Sequence, residues 1–187
     1  MTISATGVPR RFGGIDSFRS HVGEELGVGE WFEVDQDRID AFAEITEDRQ
    51  WIHVDPARAA SGPYCAPIAH GYLTLSLIPI LGSRIFTVDG VLMSINYGLN
   101  KVRFPQAVTV GSRIRSRATL VSVDDTASGT QAVIRHTIEI DGQDKPACIA
   151  ETVRLMVPRG ASNPGHPMPG GARDPASRCD GTQTSPR

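Results

Sequence analysis

The chain has 187 residues, of which 40% are hydrophobic and 21% are charged, a composition typical of one globular domain. Its 19 lysines and arginines stand against 21 aspartates and glutamates and give a net charge of −2, so we expect no nucleic-acid partner. The longest apolar run, Tyr72 to Leu81, falls well short of the ~20 residues that span a bilayer. Membrane insertion is therefore not expected.

The two ends of the chain differ in composition from its middle. Residues 158–187 hold six of the 13 prolines, five of the 19 glycines and no Val, Ile, Leu or aromatic residue, which predicts a disordered tail. Residues 1–14 predict a flexible lead-in without a signal peptide. The three cysteines form no CxxC pair and indicate neither a disulfide framework nor a zinc site. We expect a soluble, cytoplasmic protein with one folded domain over residues 15–157.

The first part of that domain predicts short elements. A polar helix is expected near residues 18–25 and a strand over residues 31–34. Asp35 is a plausible N-cap for a helix over residues 36–46. A loop-rich segment follows, with one helical turn near residues 56–60.

Residues 69–82 are apolar nearly all the way round, which predicts a central helix buried on every side. Pro79 should kink or end this helix, because proline cannot donate to the carbonyl of Leu75.

The remaining sequence predicts strands over residues 91–104, 112–124, 130–141 and 147–157. The segments between them carry turn-forming residues, so we expect an antiparallel meander. Its apolar face must be covered, and the central helix is the available partner. This defines an α+β domain in which one sheet wraps around one helix.

Two segments carry a resemblance to a known family. DRQWIHVDPARAASGPYCAPIAHGYLTLSL, from Asp48 to Leu77, resembles the hydratase signature of MaoC-like dehydratases, the R-specific enoyl-CoA hydratases with a hot-dog fold; NYGLNKVRFPQAVTVGSRIR, from Asn96 to Arg115, is similar to that family as well. The resemblance covers about residues 18–157. It implies a single hot-dog domain and a homodimer with one continuous sheet.

The implied activity is that of a hydro-lyase in fatty-acid metabolism, the reversible hydration of trans-2-enoyl-CoA to (3R)-3-hydroxyacyl-CoA. One group must take a proton from water, a second must deliver one to C2, and the thioester oxygen must be stabilised as it gains charge. The resemblance implies that Asp48 and His53 are the acid–base pair, in an order that stays open, and that the Gly71 N–H stabilises the oxygen. Coenzyme A is part of the substrate, and neither a cofactor nor a metal is expected.

Other residues carry weaker hypotheses. His70 either lines the site or holds its loop, and Tyr72 either borders the acyl tunnel or belongs to the core. Some family members place a serine where this chain has Pro79, which leaves the role of a helix hydroxyl, Ser76 included, in doubt.

The strand over residues 91–104 carries further substrate-binding candidates. Strict alternation puts Lys101 and Arg103 on the face of Leu99 and Asn96 on the opposite face. The two cations are suited to the phosphates of coenzyme A. A solvated strand face or salt bridges between subunits explain them equally well.

Three other functions compete with hydration of enoyl-CoA. The nearest is dehydration of 3-hydroxyacyl chains on acyl carrier protein by the same residues. A thioesterase with a carboxylate on its central helix is disfavoured, because residues 69–82 contain no Asp or Glu. A non-catalytic acyl-CoA-binding subunit would have no need for the Asp48–His53 pair.

Overall fold

The computed structural model describes residues 8–159. The expectations for residues 1–7 and 160–187 lie outside this range. The helices are α1 (Ile15–Arg19), α2 (Gln36–Thr46), α3 (Trp51–Val54), α4 (Pro56–Ala59), α5 (Gly71–Ser76) and α6 (Ile78–Gly82). The strands are β1 (Arg10–Phe12), β2 (Glu25–Val28), β3 (Phe32–Glu33), β4 (Phe86–Val88), β5 (Val91–Arg103), β6 (Arg113–Thr126), β7 (Gly129–Ile140) and β8 (Cys148–Pro158).

The main sheet has six strands in the order β2-β6-β7-β8-β5, with β3 also paired to β6. Strands β6, β7 and β8 form the antiparallel meander predicted from their turns. The prediction is wrong for β5, which pairs with β8 and not with β6. The chain between β5 and β6 runs back past the start of α5, where the Ala69 N–H donates to the Val108 carbonyl at 2.8 Å. This connection carries β5 to the far edge of the sheet.

Helices α5 and α6 form a broken rod on the concave face of the sheet. The break falls at Leu77, two residues before Pro79, as expected from the missing proline N–H. One side of the rod is buried in a core that contains Leu73, Ile78 and Leu81. The opposite side is exposed, so the prediction of burial on every side is wrong for the single chain: the sheet covers only half of the rod.

Among residues 8–159, strand β5 is a long edge strand that no other element covers. It is hydrogen-bonded to β8 on one side only, and all but two of its 13 residues are exposed. Its exposed large apolar side chains are Leu92, Met93, Ile95, Tyr97 and Leu99. We call this strand and these five side chains the β5 edge. Long apolar edges are templates for pairing with another chain.

The N-terminal segment departs from the prediction. Arg10–Phe12 pair in parallel with β4, and Phe12 packs edge-on against Phe18 at 5.0 Å, so this stretch is not a flexible lead-in. The helix predicted near residues 18–25 lies earlier, as α1, and Glu25–Val28 form β2 on β6. Pairing with strands that are distant in the sequence therefore determines where the short strands β1 and β2 form. Within residues 8–159, no helix is both long and apolar enough to cross a membrane.

Candidate active site

Helix α2 positions Asp48, the first residue of the site, which follows the end of the helix. Its start is capped as predicted, since the Asp35 carboxylate accepts from the Arg38 N–H at 2.9 Å. Its end is set by Glu47, which adopts the left-handed conformation with φ 60°. The chain then turns into Asp48, whose side chain is exposed.

Helix α3 carries His53, which is buried. The His53 Nδ1–H donates to the Ile68 carbonyl at 2.6 Å. Because a carbonyl only accepts, the neutral ring carries its proton on Nδ1 and leaves Nε2 with a free lone pair. The backbone of His53 is fixed by Gln36, whose side-chain amide donates to the His53 carbonyl at 2.8 Å.

His70 ties these two residues together. Its ring stacks on the His53 ring at 3.7 Å, with 23° between the planes. Its Nε2–H donates to the backbone carbonyl of Asp48 at 2.9 Å, and Phe42 packs on it at 5.1 Å. His70 therefore contacts His53 directly and holds the loop that carries Asp48.

Burial lowers the pKa of His53 below its ordinary value of 6.5. The hydrogen bond to the Ile68 carbonyl opposes this shift, the neighbouring His70 adds to it, and the Asp48 carboxylate opposes it. The desolvation of the charged ring is the largest of these effects. His53 is therefore neutral at pH 7 and able to accept a proton.

Gly71 starts α5, whose first N–H groups have no acceptor within the helix. A Cβ built on Gly71 would lie 3.1 Å from the Phe104 ring. That distance is tighter than nearly all real Cβ contacts. The glycine therefore lets the Phe104 ring close over the start of the helix.

Asp48, His53 and His70 each offer one donor atom, and these three atoms lie within 4.8 Å of one another. Such a group is also the form of a metal site. His70 uses its Nε2 for the bond to the Asp48 carbonyl, and its Nδ1 is buried without a partner among the described residues. A single water molecule hydrogen-bonded to Asp48 and His53 fits this spacing.

The remaining predicted residues lie apart from this group. Tyr72 is 70% exposed and meets the edge of Phe104 at 6.1 Å, so it is not a core residue in the single chain. Asn96 lines a cleft of about 440 Å³ between the α5–α6 rod and strands β5 and β8. Lys101 and Arg103 are both exposed.

Bulges in β5 overturn the predicted faces of this strand. Leu99 pairs with Thr152 and Val102 with Ala150, so both lie on the concave face although three positions separate them. Arg103 therefore lies on the face opposite Leu99, and not beside it as strict alternation predicts. Asn96 pairs with Arg154 and shares the concave face with Leu99.

Two contributors to the site were absent from the sequence hypotheses. The Ile68 carbonyl fixes the tautomer of His53, and Gln36 holds the His53 backbone. A backbone carbonyl has no sequence signal. Gln36 is recognisable only once the first turn of α2 is known to face α3.

A sheet around a broken helical rod, with an Asp–His pair at the start of that rod, defines the protein as a hot-dog domain. Residues 17–143 match the family described as MaoC like domain, and the chain belongs to this family. This confirms the resemblance and the fold predicted from the sequence.

Three similar proteins illustrate the range of the family. The chain is 48% identical over 145 residues to 3-hydroxyacyl-thioester dehydratase Z of Mycobacterium tuberculosis, covering 77% of this chain and 96% of the relative. It is 41% identical over 140 residues to nodulation protein N of Rhizobium leguminosarum bv. viciae, covering 73% and 87%. An (R)-hydratase from A. caviae involved in PHA biosynthesis is 26% identical, with a TM-score of 0.60 over 73% of this chain and 96% of that one.

Proposed function

We propose that the protein is a cofactor-independent hydro-lyase that interconverts trans-2-enoyl-CoA and (3R)-3-hydroxyacyl-CoA. The observation that carries this proposal is the Asp48–His53 pair, whose donor atoms lie within 4.8 Å of one another at the N-terminal end of α5. The 48% identity to a 3-hydroxyacyl-thioester dehydratase supports the same class of substrate.

The protonation state of His53 suggests how the reaction runs. In the hydration direction, Nε2 takes a proton from a water molecule that also hydrogen-bonds with the Asp48 carboxylate, and the water oxygen bonds to C3. The electron pair of the C2=C3 bond moves toward the thioester oxygen. A proton then passes from the protonated pair to C2, so one proton leaves water and one reaches carbon. Dehydration is the reverse sequence.

The start of α5 supplies the stabilisation that this step needs. The Gly71 N–H is unpaired within the helix and lies at its positive end, so it is suited to donate to the thioester oxygen as negative charge develops there. Tyr72, the next residue, is exposed beside it and is proposed to contact the substrate. Lys101 and Arg103 remain the proposed partners of the coenzyme A phosphates.

A second copy of the chain is the proposed partner at the β5 edge. Five large apolar side chains of this edge are between 42% and 62% exposed, which is unusual for an isolated surface. Pairing of β5 with its own copy about a two-fold axis would join the two sheets into one. The same contact would cover the exposed side of the α5–α6 rod.

Hydration of crotonyl-CoA, followed by the absorbance of the enoyl thioester, tests the proposal. We expect Asp48→Asn and His53→Gln each to lose at least ~10²-fold in activity, the usual effect of removing a general acid or base. Asp55→Asn is a matched control, because Asp55 caps α4 through the Arg58 N–H at 3.0 Å and asparagine caps equally well. His21→Gln is the control for the histidine.

Full activity in either Asp48→Asn or His53→Gln would refute the assignment. The same assay with enoyl and 3-hydroxyacyl thioesters of acyl carrier protein identifies the carrier. Turnover of these thioesters without turnover of crotonyl-CoA would favour the alternative function, a 3-hydroxyacyl-ACP dehydratase.

A further inference from the structure

The cleft between the α5–α6 rod and the sheet contains a cation that the proposed reaction does not use. Arg154, on the concave face of β8, lines this cleft together with Asn96. Most of the other walls are apolar and include Leu75, Ile78 and Leu99. The cleft is therefore largely apolar and has a guanidinium group in it.

Arg154 has no counter-ion within residues 8–159. None of its N–H groups takes part in a side-chain hydrogen bond or an ion pair with the described residues, and its Nε is buried without a partner. The Phe86 ring lies beside it, with its centroid 5.7 Å from the guanidinium carbon. The charged guanidinium is partly desolvated by burial, which lowers the pKa of Arg154. Such charges are usually paired with an anion.

The described residues around Arg154 do not neutralise it. The neighbouring His136 is fully buried, and burial together with the charge of Arg154 lowers its pKa to about 3, so this histidine is neutral. Its Nδ1 bonds to Ser116 Oγ at 2.9 Å, while its Nε2 is buried without a partner. Two polar groups without a partner are therefore adjacent at the far end of the rod.

Two structural explanations for Arg154 are weaker. An arginine near the C-terminus of α6 could bond to its last carbonyls, but no such bond is formed, although a Cβ on Gly82 would lie only 3.7 Å from Arg154 Nη2. A second copy docked through the β5 edge could bring a carboxylate. However, α5, α6 and β5 contain no Asp or Glu, so a two-fold contact between these elements supplies none.

We propose that Arg154 binds a carboxylate at the distal end of the substrate's acyl chain, so that the cleft selects acyl thioesters whose chain ends in an acid. Apolar walls match the alkyl part of such a chain, and the unpaired guanidinium matches its end. The rod from Gly71 to Gly82 is about 16 Å long at 1.5 Å per residue, which leaves room for an extended chain between the thioester and Arg154. This inference rests on the proposed function.

The test compares enoyl-CoA substrates in pairs of equal chain length, one ending in a methyl group and the other in a carboxylate. We expect the wild-type protein to prefer the carboxylate by about tenfold or more in kcat/KM at one or more chain lengths, as for a hydrogen bond to a charged group. Arg154→Gln should remove the preference, and Arg154→Lys should retain part of it. Arg135→Gln is the matched control, since Arg135 pairs with Glu151 on the other face of the sheet.

Binding of the saturated acyl-CoA analogues by calorimetry separates the two proposals. Arg154-dependent tighter binding of the carboxylate without any hydration would refute the proposed function and support the carboxylate site. Hydration without a preference by the wild-type protein at any chain length would overturn the carboxylate site alone, whether or not the variants fold. A preference for the carboxylate that survives in Arg154→Gln would also overturn it. So would an equal loss of kcat/KM on both substrates of each pair, because that result is expected if Arg154 contacts a phosphate of coenzyme A, which both substrates share.

Discussion

The two ends of the α5–α6 rod differ in how the chain fixes their polar side chains. At the first end, His53 and His70 each donate to a backbone carbonyl and stack on each other, although the Nδ1 of His70 is buried without a partner among the described residues. At the second end, Arg154 makes no side-chain hydrogen bond or ion pair with the described residues, and the Nε2 of His136 is also buried without a partner. The chain therefore fixes the rings of the proposed acid–base site by itself, whereas it leaves the guanidinium at the second end for the proposed ligand.

Disruption of the β5 edge should have the largest effect on activity, because the proposed second copy covers the rod from its first end to its second. Ile95→Lys combined with Tyr97→Lys brings like charges together across the proposed two-fold contact, which costs several kcal/mol. We expect the proposed dimer to dissociate, as measured by light scattering, and hydration activity to fall at least about tenfold. Val22→Lys is the control, because Val22 is 46% exposed outside the β5 edge.

A dimer that resists both substitutions would contradict the proposed interface. A fully active monomer would show that neither the proposed chemistry at the first end of the rod nor substrate binding requires a second copy of the chain.

A smaller effect is expected from Gly71→Ala at the first end. The added methyl group would lie 3.1 Å from the Phe104 ring, so the ring must move and the start of α5 with it. We expect about a tenfold loss in kcat, in line with small displacements of catalytic groups. If Phe104 is the obstacle, Phe104→Leu in the same chain should restore most of the activity.

Failure of the double variant to recover would mean that the methyl group obstructs the substrate itself. A fully active Gly71→Ala variant would contradict a close role for the Gly71 N–H.

The sequence was sufficient for elements whose signals are local. The predicted bounds of α2 match the structure because Asp35 caps its start, and strands β5 to β8 lie within two residues of their predicted bounds because turn residues flank them. Elements that depend on distant partners were missed. Strand β1 exists because β4 pairs with it, and the edge position of β5 depends on a connection that crosses the start of α5, a path that its turn-forming residues do not reveal.

The site divides in the same way. Asp48, His53 and Gly71 followed from the resemblance to the MaoC-like family. The structure adds what holds them: the His70 ring, the Ile68 carbonyl and the Gln36 side chain. The bulges in β5 also lie beyond sequence reasoning, and they moved Arg103 to the opposite face from Leu99. Arg154 drew no notice in the sequence, because its importance lies in a counter-ion that the described residues do not provide.

The smallest of the expected effects is a difference between the two ends of the rod in how they respond to pH. Both His53 and His136 have a lowered pKa, but only His53 belongs to the proposed chemistry. Its neutral form is needed to accept a proton, so kcat/KM should fall on the acid side with a midpoint below 6.5. Arg154→Gln should leave this midpoint unchanged on crotonyl-CoA, because Arg154 belongs to the other end of the rod.

His136 should affect stability and not activity. Its pKa is about 3 in the folded chain against 6.5 when unfolded, so the unfolded state binds a proton first as the pH falls. The stability due to the neutral ring is thus present above pH 6.5 and is lost progressively below it, by about 2 kcal/mol at pH 5. In His136→Gln, urea unfolding should show a correspondingly smaller loss between pH 7 and pH 5. If the loss of unfolding free energy between pH 7 and pH 5 is the same in His136→Gln as in the wild-type protein, other groups such as His53 cause the acid sensitivity. The titration of His136 would then make no separate contribution to stability.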